Sequence, residues 1–515
     1  MTQFNKSGHD KALHRLFLWM PHVASIIDSV VIGFFCALLM SMLLAFFSIN
    51  LALSPLCLWI VLLAYRIEWQ LVDRLVLPPL SLIVLPPAVG LGIGVPLYLW
   101  GLNITYSYGL LVMQVTFLVS MPLLFIGYRV ARGKVELDWS PQNTAYIFDA
   151  HASSLLTFAW FLFAFDLTRI AIGWRTGNLD RGFAGDEALD NGLSMWTLIS
   201  IFARWGNLWF FLLPLMWRYT AHIGRLIIIC GLCFYSLIAF ASGSRGLLIY
   251  PAIFFISGSF FFIDRPRIRV ERWIPFAIAL CMVYIYIMDV YRNTAGFQNT
   301  RLTDISARLS ATYAISHGLE EREDFSLTTG RALIGVADEI VYEMTPSTIP
   351  FAGASDILPA VLWTWVPQRL APSKPMLWDS NEVVVYYTGS RSDRSYSAIS
   401  LTADLYRRFG WAGIPIGWFL MGCVFGLAVR GVLYVYKYIS IIAGVGLIVF
   451  MTGGVSSGNY TSTVLQTWWI WAYDLPKHLV PLGVIIFLIG RGFGCGLNFY
   501  IHGKQPTGTL MKSAG

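Results

Sequence analysis

The feature that most constrains this chain is a succession of long apolar segments along its length. An α-helix needs about 20 apolar residues to cross the hydrocarbon core of a membrane. Twelve segments approach or exceed that length: residues 24–47, 50–66, 75–99, 107–129, 147–172, 195–217, 223–242, 246–263, 273–291, 410–429, 438–456 and 478–498. Only 13% of the 515 residues are charged, about half the share found in soluble domains. The sequence therefore predicts an all-α polytopic membrane protein with about 12 transmembrane helices.

Basic residues are distributed unevenly among the connections between these segments. If the N-terminus is cytoplasmic, the cytoplasmic connections and the C-terminal tail hold Arg66, Arg74, Arg129, Arg132, Lys134, Arg218, Arg225, Arg265, Arg267, Arg269, Arg272, Arg430, Lys437, Arg491, Lys504 and Lys512. The opposite connections near residue 48 and at residues 101–106 hold no Lys or Arg. Because Lys and Arg are enriched in cytoplasmic connections, we expect both termini in the cytoplasm and the protein in a bacterial inner membrane. This distribution accounts for the formal charge of +7 without a nucleic-acid partner.

The predicted helices form two groups separated by one long polar segment. Residues 1–291 are expected to form an N-terminal bundle of about nine spans, residues 410–500 a C-terminal bundle of about three, and residues 501–515 a cytoplasmic tail. Residues 292–409, with thirteen acidic and eleven basic residues, are expected to form a large periplasmic loop. Amphipathic stretches within this loop predict short helices near the membrane surface.

The seven cysteines lie in apolar segments and none lies in the long loop, so no disulfide framework is expected. Cys230 and Cys233 have CxxC spacing but lack the second pair or the His that a zinc site needs, and we interpret them as small buried apolar residues. The sequence contains no Walker loop, dinucleotide fingerprint, metal-ligand spacing or nucleophile-elbow motif. We therefore expect no cofactor and no metal.

Arg245 stands in the tight turn Ser242-Gly243-Ser244-Arg245-Gly246 between two predicted spans. On the predicted topology this turn faces away from the cytoplasm, where basic residues are disfavoured. Small residues let the backbone approach a ligand closely, and successive N–H groups can bind an anion. An arginine at this position suits a phosphate or pyrophosphate. The alternative is an arginine that anchors a helix end at the membrane interface.

Asp404, Arg407 and Arg408 lie together where the long loop enters the tenth predicted span. Two adjacent arginines on the outer side are unfavourable for the topology, so we expect them to bind either an anionic lipid headgroup or a lipid pyrophosphate. Asp404 precedes them by three and four residues. On a helix that spacing also allows a simple ion pair with either arginine.

Two further residues on the same predicted side are candidates. Arg292 follows the ninth span, where it binds a ligand or pairs with Asp289 as a helix-end anchor. His317 is the histidine of the long loop. It is a candidate general base toward a sugar hydroxyl, and the alternative is a solvated surface side chain.

Several of these motifs together resemble the O-antigen (Wzy-type) polysaccharide polymerase family. The similar elements are Ser-Gly-Ser-Arg245-Gly at the start of a span, Tyr-Arg292 after another, the loop segment Val366-Pro-Gln-Arg369-Leu-Ala-Pro372-Ser-Lys374-Pro375, and the segment Ser400-Leu-Thr-Ala-Asp404-Leu-Tyr406-Arg-Arg-Phe409-Gly410-Trp-Ala-Gly413. The resemblance covers residues 195–430 in motifs and the whole chain in topology. This sequence departs from the family pattern in having Asp404 where other members often carry Glu, and in its Arg407-Arg408 pair.

The resemblance implies a metal-independent glycosyltransferase that polymerises undecaprenyl-pyrophosphate-linked oligosaccharide repeat units into a surface polysaccharide outside the cytoplasm. Binding of the pyrophosphate would fall to Arg245, Arg292, Arg407, Arg408, Lys374 and Tyr406. The catalytic groups would be Arg245 together with Asp404 or His317 as the base. The resemblance further implies contact with membrane lipids and cooperation with a chain-length regulator and a flippase of the same pathway.

Three other functions fit parts of the sequence. A lipid-linked-oligosaccharide flippase has a similar number of spans, but we would expect it to carry charges within the spans and short loops. An O-antigen ligase shares the external arginines and the large loop, and differs in its acceptor. A structural assembly partner has no need for arginines clustered on one face.

Overall fold

The computed structural model describes eight stretches of the chain. They are residues 30–68, 79–101, 105–133, 141–175, 208–242, 338–364, 399–434 and 463–469, with isolated positions between 247 and 259, between 366 and 387, and at 471. The predicted spans 273–291, 438–456 and 478–498 and the tail 501–515 lie outside the described residues. Most of the long loop also lies outside them.

The described residues are helical, with no strand among them. The helices are α1 (Val30–Ala45), α2 (Ile49–Ile67), α3 (Pro79–Val89), a π-helical turn (Gly90–Gly94), α4 (Val95–Gly101), α5 (Tyr108–Arg132), α6 (Pro141–Arg175), α7 (Leu208–Tyr219), α8 (His222–Ala241), α9 (Asp338–Met344), α10 (Ile357–Trp363), α11 (Leu401–Tyr434) and α12 (Val464–Trp469).

Six helical segments of the described chain are long and apolar enough to cross a membrane. They are Ile49–Ile67, Ile83–Trp100, Tyr108–Arg132, Leu156–Arg175, His222–Ala239 and Leu401–Tyr434. The prediction of an α-helical membrane protein is confirmed at this level. The total of twelve spans stays a prediction, and so does the extent of the external loop, in which the described residues include the short helices α9 and α10.

Glycines allow α5 and α11 to pack backbone against backbone. A Cβ added at Gly422 would lie 2.2 Å from the carbonyl oxygen of Leu124, and one at Gly426 would lie 2.5 Å from that of Tyr128. Small residues four apart allow such close packing of membrane helices. The contact moves from Leu124 to Tyr128 on α5 as it moves from Gly422 to Gly426 on α11. The two helices therefore run parallel. The predicted alternation of spans gives them the same direction.

A buried polar network joins α2 and α5 to the π-helical turn. The Gln114 side-chain amide donates to the Asn50 carbonyl at 2.9 Å, to Ser54 Oγ at 3.1 Å and to the Leu91 carbonyl at 3.2 Å. The carbonyl of Leu91 is available because the Val95 N–H, which would bond it in an α-helix, donates to Gly90 instead. The next residue is Pro96, which has no N–H to donate. This network fixes the three helices at the end where the long loop docks.

The described part of the long loop docks on this end of the bundle through α9. Ser107, the N-cap of α5, donates to Glu339 Oε1 at 2.6 Å. Asp338 Oδ1 accepts from the backbone N–H of Ser400, the residue that precedes α11, at 2.6 Å. The loop segment thereby fixes the position at which α11 begins.

The expected burial of two cysteines is wrong. Cys230 and Cys233 are both exposed and free, because they lie away from the face of α8 that packs into the core and carries Ile228 and Tyr235. Cys57 is free and buried between helices.

Candidate functional site

A break divides α11 into a short outer segment and a long apolar segment. Gly410 has φ 66° and ψ −160°, a backbone conformation that residues with a Cβ rarely adopt. Residues 401–409 therefore form a separate short helix of about two and a half turns at the mouth of the span. This outer segment carries Asp404, Tyr406, Arg407 and Arg408, all of them buried.

Asp404 lies at the centre of this segment with no exposed surface. Its Oδ1 accepts from Nε and Nη2 of Arg407 at 2.9 and 2.6 Å. Its Oδ2 accepts from Nε of Arg408 at 3.1 Å and from the backbone N–H of Val464 at 2.7 Å. Four donors thus hold one carboxylate. The ion pair that helical spacing allowed between Asp404 and either arginine is therefore present with both Arg407 and Arg408.

Arg408 is held between Asp404 and a second carboxylate from the long loop. Its Nη1 and Nη2 donate to the two oxygens of Asp356 at 2.5 and 2.9 Å, and Nη1 also donates to the Gly353 carbonyl at 3.2 Å. The Arg408 side chain has 0% exposure, whereas that of Asp356 has 47%. Partial burial would raise the pKa of Asp356, but the hydrogen bond and the charge of Arg408 outweigh it and lower this pKa.

Arg407 is held along one edge only. Its Nε and Nη2 face Asp404, and within the described chain its Nη1 has no partner. The side chain is 7% exposed, and its backbone carbonyl accepts from Ala352 at 3.0 Å. Arg407 is therefore fixed in place with a pair of N–H donors still available to a ligand.

The cluster as a whole is electrically balanced. It contains two arginines, Arg407 and Arg408, and two aspartates, Asp404 and Asp356. Asp356 is the exposed member, and its two oxygens occupy the fork of Arg408 that a phosphate would occupy in the same planar geometry. An anion that displaced Asp356 would meet two arginines already oriented by Asp404.

Tyr406 supports the outer segment from the opposite side. Its hydroxyl donates to the Thr345 carbonyl at 2.9 Å, and its ring lies 4.7 Å from Trp411 and 5.1 Å from Tyr342. With 4% of its surface exposed, Tyr406 contacts protein on all sides. Its predicted contact with substrate stays a prediction.

Of the predicted site residues, the structure brings together Asp404, Tyr406, Arg407 and Arg408. The remaining ones, Arg245, Arg292, His317 and Lys374, lie outside the described residues.

The structure also adds two contributors that the sequence analysis missed, Asp356 and the N-terminus of α12. They are 48 and 60 residues away from Asp404 along the chain, so no spacing rule connects them to it. The sequence feature that could have indicated Asp356 is its position directly before a short apolar helix.

The described residues contain no group of three or more His, Cys, Asp or Glu side chains that could hold a metal ion. No protein-family model matches this chain. Comparison with curated proteins gives no match, and comparison with solved structures gives none either.

Proposed function

We propose that this protein polymerises oligosaccharide repeat units carried on undecaprenyl pyrophosphate, at the outer face of the bacterial inner membrane and with both termini in the cytoplasm. The observation that carries the proposal is Arg407, which is buried at the mouth of an apolar helix and keeps one guanidinium edge available. Such an arginine is suited to a phosphate at the level where a lipid headgroup lies.

Binding begins with an exchange at Arg408. The pyrophosphate displaces the exposed carboxylate of Asp356 and takes its place on the guanidinium fork, while Nη1 of Arg407 donates to a second oxygen. Arg245, Arg292 and Lys374, which the family resemblance assigns to the same role, complete the binding of the leaving group. Cations that are already in position stabilise the negative charge that develops on a leaving group, because the protein does not have to rearrange during the reaction.

The reaction joins a growing glycan to a new repeat unit. A hydroxyl oxygen of the acceptor sugar attacks the anomeric carbon of the donor glycan. The bond from that carbon to the pyrophosphate oxygen breaks, and the electron pair leaves with the pyrophosphate. A base takes the hydroxyl proton. Because four hydrogen bonds already occupy Asp404, we assign it to positioning the arginines, and His317 is then the candidate base.

An uncommitted polar atom in the helix that contacts Asp404 supports a ligand that carries hydroxyl groups. Gln466 lies two residues after Val464, whose backbone N–H donates to Asp404, and the side-chain oxygen of Gln466 is buried without a hydrogen-bond partner. A sugar hydroxyl can donate to this oxygen, and a buried polar group without a partner is otherwise destabilising.

The test replaces Arg407 by Ala and, separately, Arg245 by Ala and by Lys in the native host. Surface polysaccharide is examined on a gel and protein abundance by blot. We expect the ladder of long chains to collapse to single repeat units at normal protein abundance. Lys at position 245 should rescue the ladder only partly, because it lacks the planar fork of Arg. An unchanged ladder would assign these arginines to membrane anchoring. Loss of the single units as well would favour a flippase or a ligase.

A further inference from the structure

A second group of charged side chains lies within the membrane-spanning helices, away from α11. Asp166 and Arg169 belong to α6, Trp209 to α7 and Tyr235 to α8. Nε and Nη2 of Arg169 donate to Asp166 Oδ1 at 2.9 and 2.6 Å, and Trp209 Nε1 donates to Asp166 Oδ2 at 2.9 Å. All four residues are at most 5% exposed.

The ion pair lies inside the segment Leu156–Arg175, which is long and apolar enough to span a membrane. Ionisable residues within such segments are costly and usually serve a function. Arg169 lies six residues before the end of α6, about 9 Å along its axis. At that depth an arginine side chain can extend toward the interface, but Arg169 turns back to Asp166, which lies deeper.

The groups left over in this cluster are hydrogen-bond donors. Both oxygens of Asp166 accept hydrogen bonds, whereas within the described chain Nη1 of Arg169 has no partner. The hydroxyl of Tyr235 is buried without a partner as well. The Tyr235 ring packs edge to face on Trp209 at 6.3 Å, and Trp209 donates to Asp166, the carboxylate that holds Arg169. A ligand that supplies oxygen acceptors can satisfy both groups, because the Tyr235 hydroxyl can donate as well as accept.

The geometry of Arg169 repeats that of Arg407. In both cases an aspartate three residues earlier accepts from Nε at 2.9 Å and from Nη2 at 2.6 Å. In both, the Nη1 group remains uncommitted within the described chain. The shared arrangement is an arginine oriented by one carboxylate so that its other edge can bind an anion.

We propose that Arg169 and Tyr235 form a second phosphate-binding site, distinct from the one at Arg407. Its ligand is a phosphate or pyrophosphate group, which accepts from Nη1 of Arg169 and from the Tyr235 hydroxyl. This inference rests on the proposed function, because a reaction between two pyrophosphate-linked glycans has two pyrophosphate groups to hold.

The experiment measures equilibrium binding of radiolabelled farnesyl pyrophosphate to the purified full-length protein in detergent. The variants are Tyr235→Phe, the charge-neutral double replacement Asp166→Asn with Arg169→Gln, and Arg407→Gln. Unlabelled inorganic pyrophosphate is the competitor. It should displace the probe poorly if the site takes a lipid phosphate and equally well if it takes free pyrophosphate.

The wild-type protein is expected to bind two molecules of the probe. Tyr235→Phe should weaken one of them about tenfold, the loss of a single hydrogen bond to a charged group. The double replacement should abolish that molecule and leave the other, which Arg407→Gln removes. Since Tyr235→Phe deletes a single buried hydroxyl, it keeps the test decisive even if the double replacement does not fold.

Two results would overturn the inference, and only one of them would also contradict the proposed function. A single bound probe that is lost in Arg407→Gln and unchanged in Tyr235→Phe leaves the proposed function intact and refutes the second site. In that case Tyr235→Phe should raise the melting temperature, because it removes a hydroxyl that merely lacked a partner. No binding of the probe at all would contradict both the inference and the proposed function.

Discussion

The carboxylate of Asp356 lies across the two terminal nitrogens of Arg408 at 2.5 and 2.9 Å. These residues are 52 positions apart in sequence, and Asp356 is half exposed where Arg408 is fully buried. The contact therefore joins a fixed cation to a carboxylate that solvent or a ligand can reach. It is the point of the cluster at which an incoming anion can exchange with a protein group.

Replacement of Asp356 by Asn should strengthen the binding of farnesyl pyrophosphate about tenfold, because it removes the competing negative charge and leaves Arg408 in place. The measurement is the equilibrium dissociation constant in detergent at fixed salt. The matched control is Glu343→Gln, which removes an exposed carboxylate from the neighbouring helix α9 and should leave the constant unchanged. Weaker binding in Asp356→Asn would mean that Asp356 supports the site rather than competes for it.

Replacement of Asp404 by Asn should destabilise the protein by about 3–5 kcal/mol, since it leaves two buried arginines without their shared carboxylate. The melting temperature in detergent and the affinity for farnesyl pyrophosphate should both fall together with turnover. A group that acts only as a base would lose turnover while melting temperature and probe affinity stayed at wild-type values. That pattern would return Asp404 to the catalytic role that the family resemblance implies.

The stability of the protein should depend on pH through Asp338, which lies in the long loop. Burial raises the pKa of Asp338 from 3.8 to about 7 in the folded protein, although hydrogen bonds from Ser400 oppose the shift. When the pKa of a carboxyl is higher in the folded than in the unfolded protein, its contribution to the free energy of unfolding is fully present below the unfolded pKa. That contribution is lost as the pH rises through the folded pKa.

The wild-type protein should therefore lose on the order of a few kcal/mol relative to Asp338→Asn between about pH 4 and pH 7. The melting temperatures of the two proteins are measured side by side across this range. In their difference, the contributions of all other titrating groups cancel. A constant difference between them would show that Asp338 keeps its charge in the folded state.

Replacement of Gly422 by Leu should separate α5 from α11, because even a Cβ at this position would lie 2.2 Å from the Leu124 carbonyl oxygen. Overpacking of this kind typically costs about 1–3 kcal/mol or more. The control is Gly431→Leu on the same helix, where an added Cβ meets no atom within 4 Å. Equal melting temperatures for the two variants would contradict the observed crossing of α5 and α11.

The membrane helices were the part of the fold that the sequence predicted well. The predicted spans 50–66 and 223–242 correspond to Ile49–Ile67 and His222–Ala241, because the length of an apolar run directly determines what can cross a bilayer. The proline-rich predicted span 75–99 is helical as well from Pro79 onward, with the π-helical turn Gly90–Gly94 as an interruption. These features depend on local sequence alone.

The contacts that build the candidate site were less predictable. The pairing of Asp404 with Arg407 follows from helical spacing, but the one between Asp356 and Arg408 depends on how the loop folds back. The contact of Ser107 with Glu339 joins positions 232 residues apart. The ion pair of Asp166 and Arg169 was overlooked for another reason: one isolated pair hardly changes the mean hydropathy of a span.

The proposed function can be tested by polymerisation with the purified protein in liposomes that contain a synthetic polyprenyl-pyrophosphate-linked oligosaccharide. Product length is read on a gel. We expect a ladder of repeat units with release of polyprenyl pyrophosphate. The rate should be at least about 100-fold lower for Arg407→Gln, because this variant loses a preorganised charged contact to the leaving group. Substrate that stays at a single repeat unit with the wild-type protein, or a ladder that Arg407→Gln leaves unchanged, would contradict the proposed function.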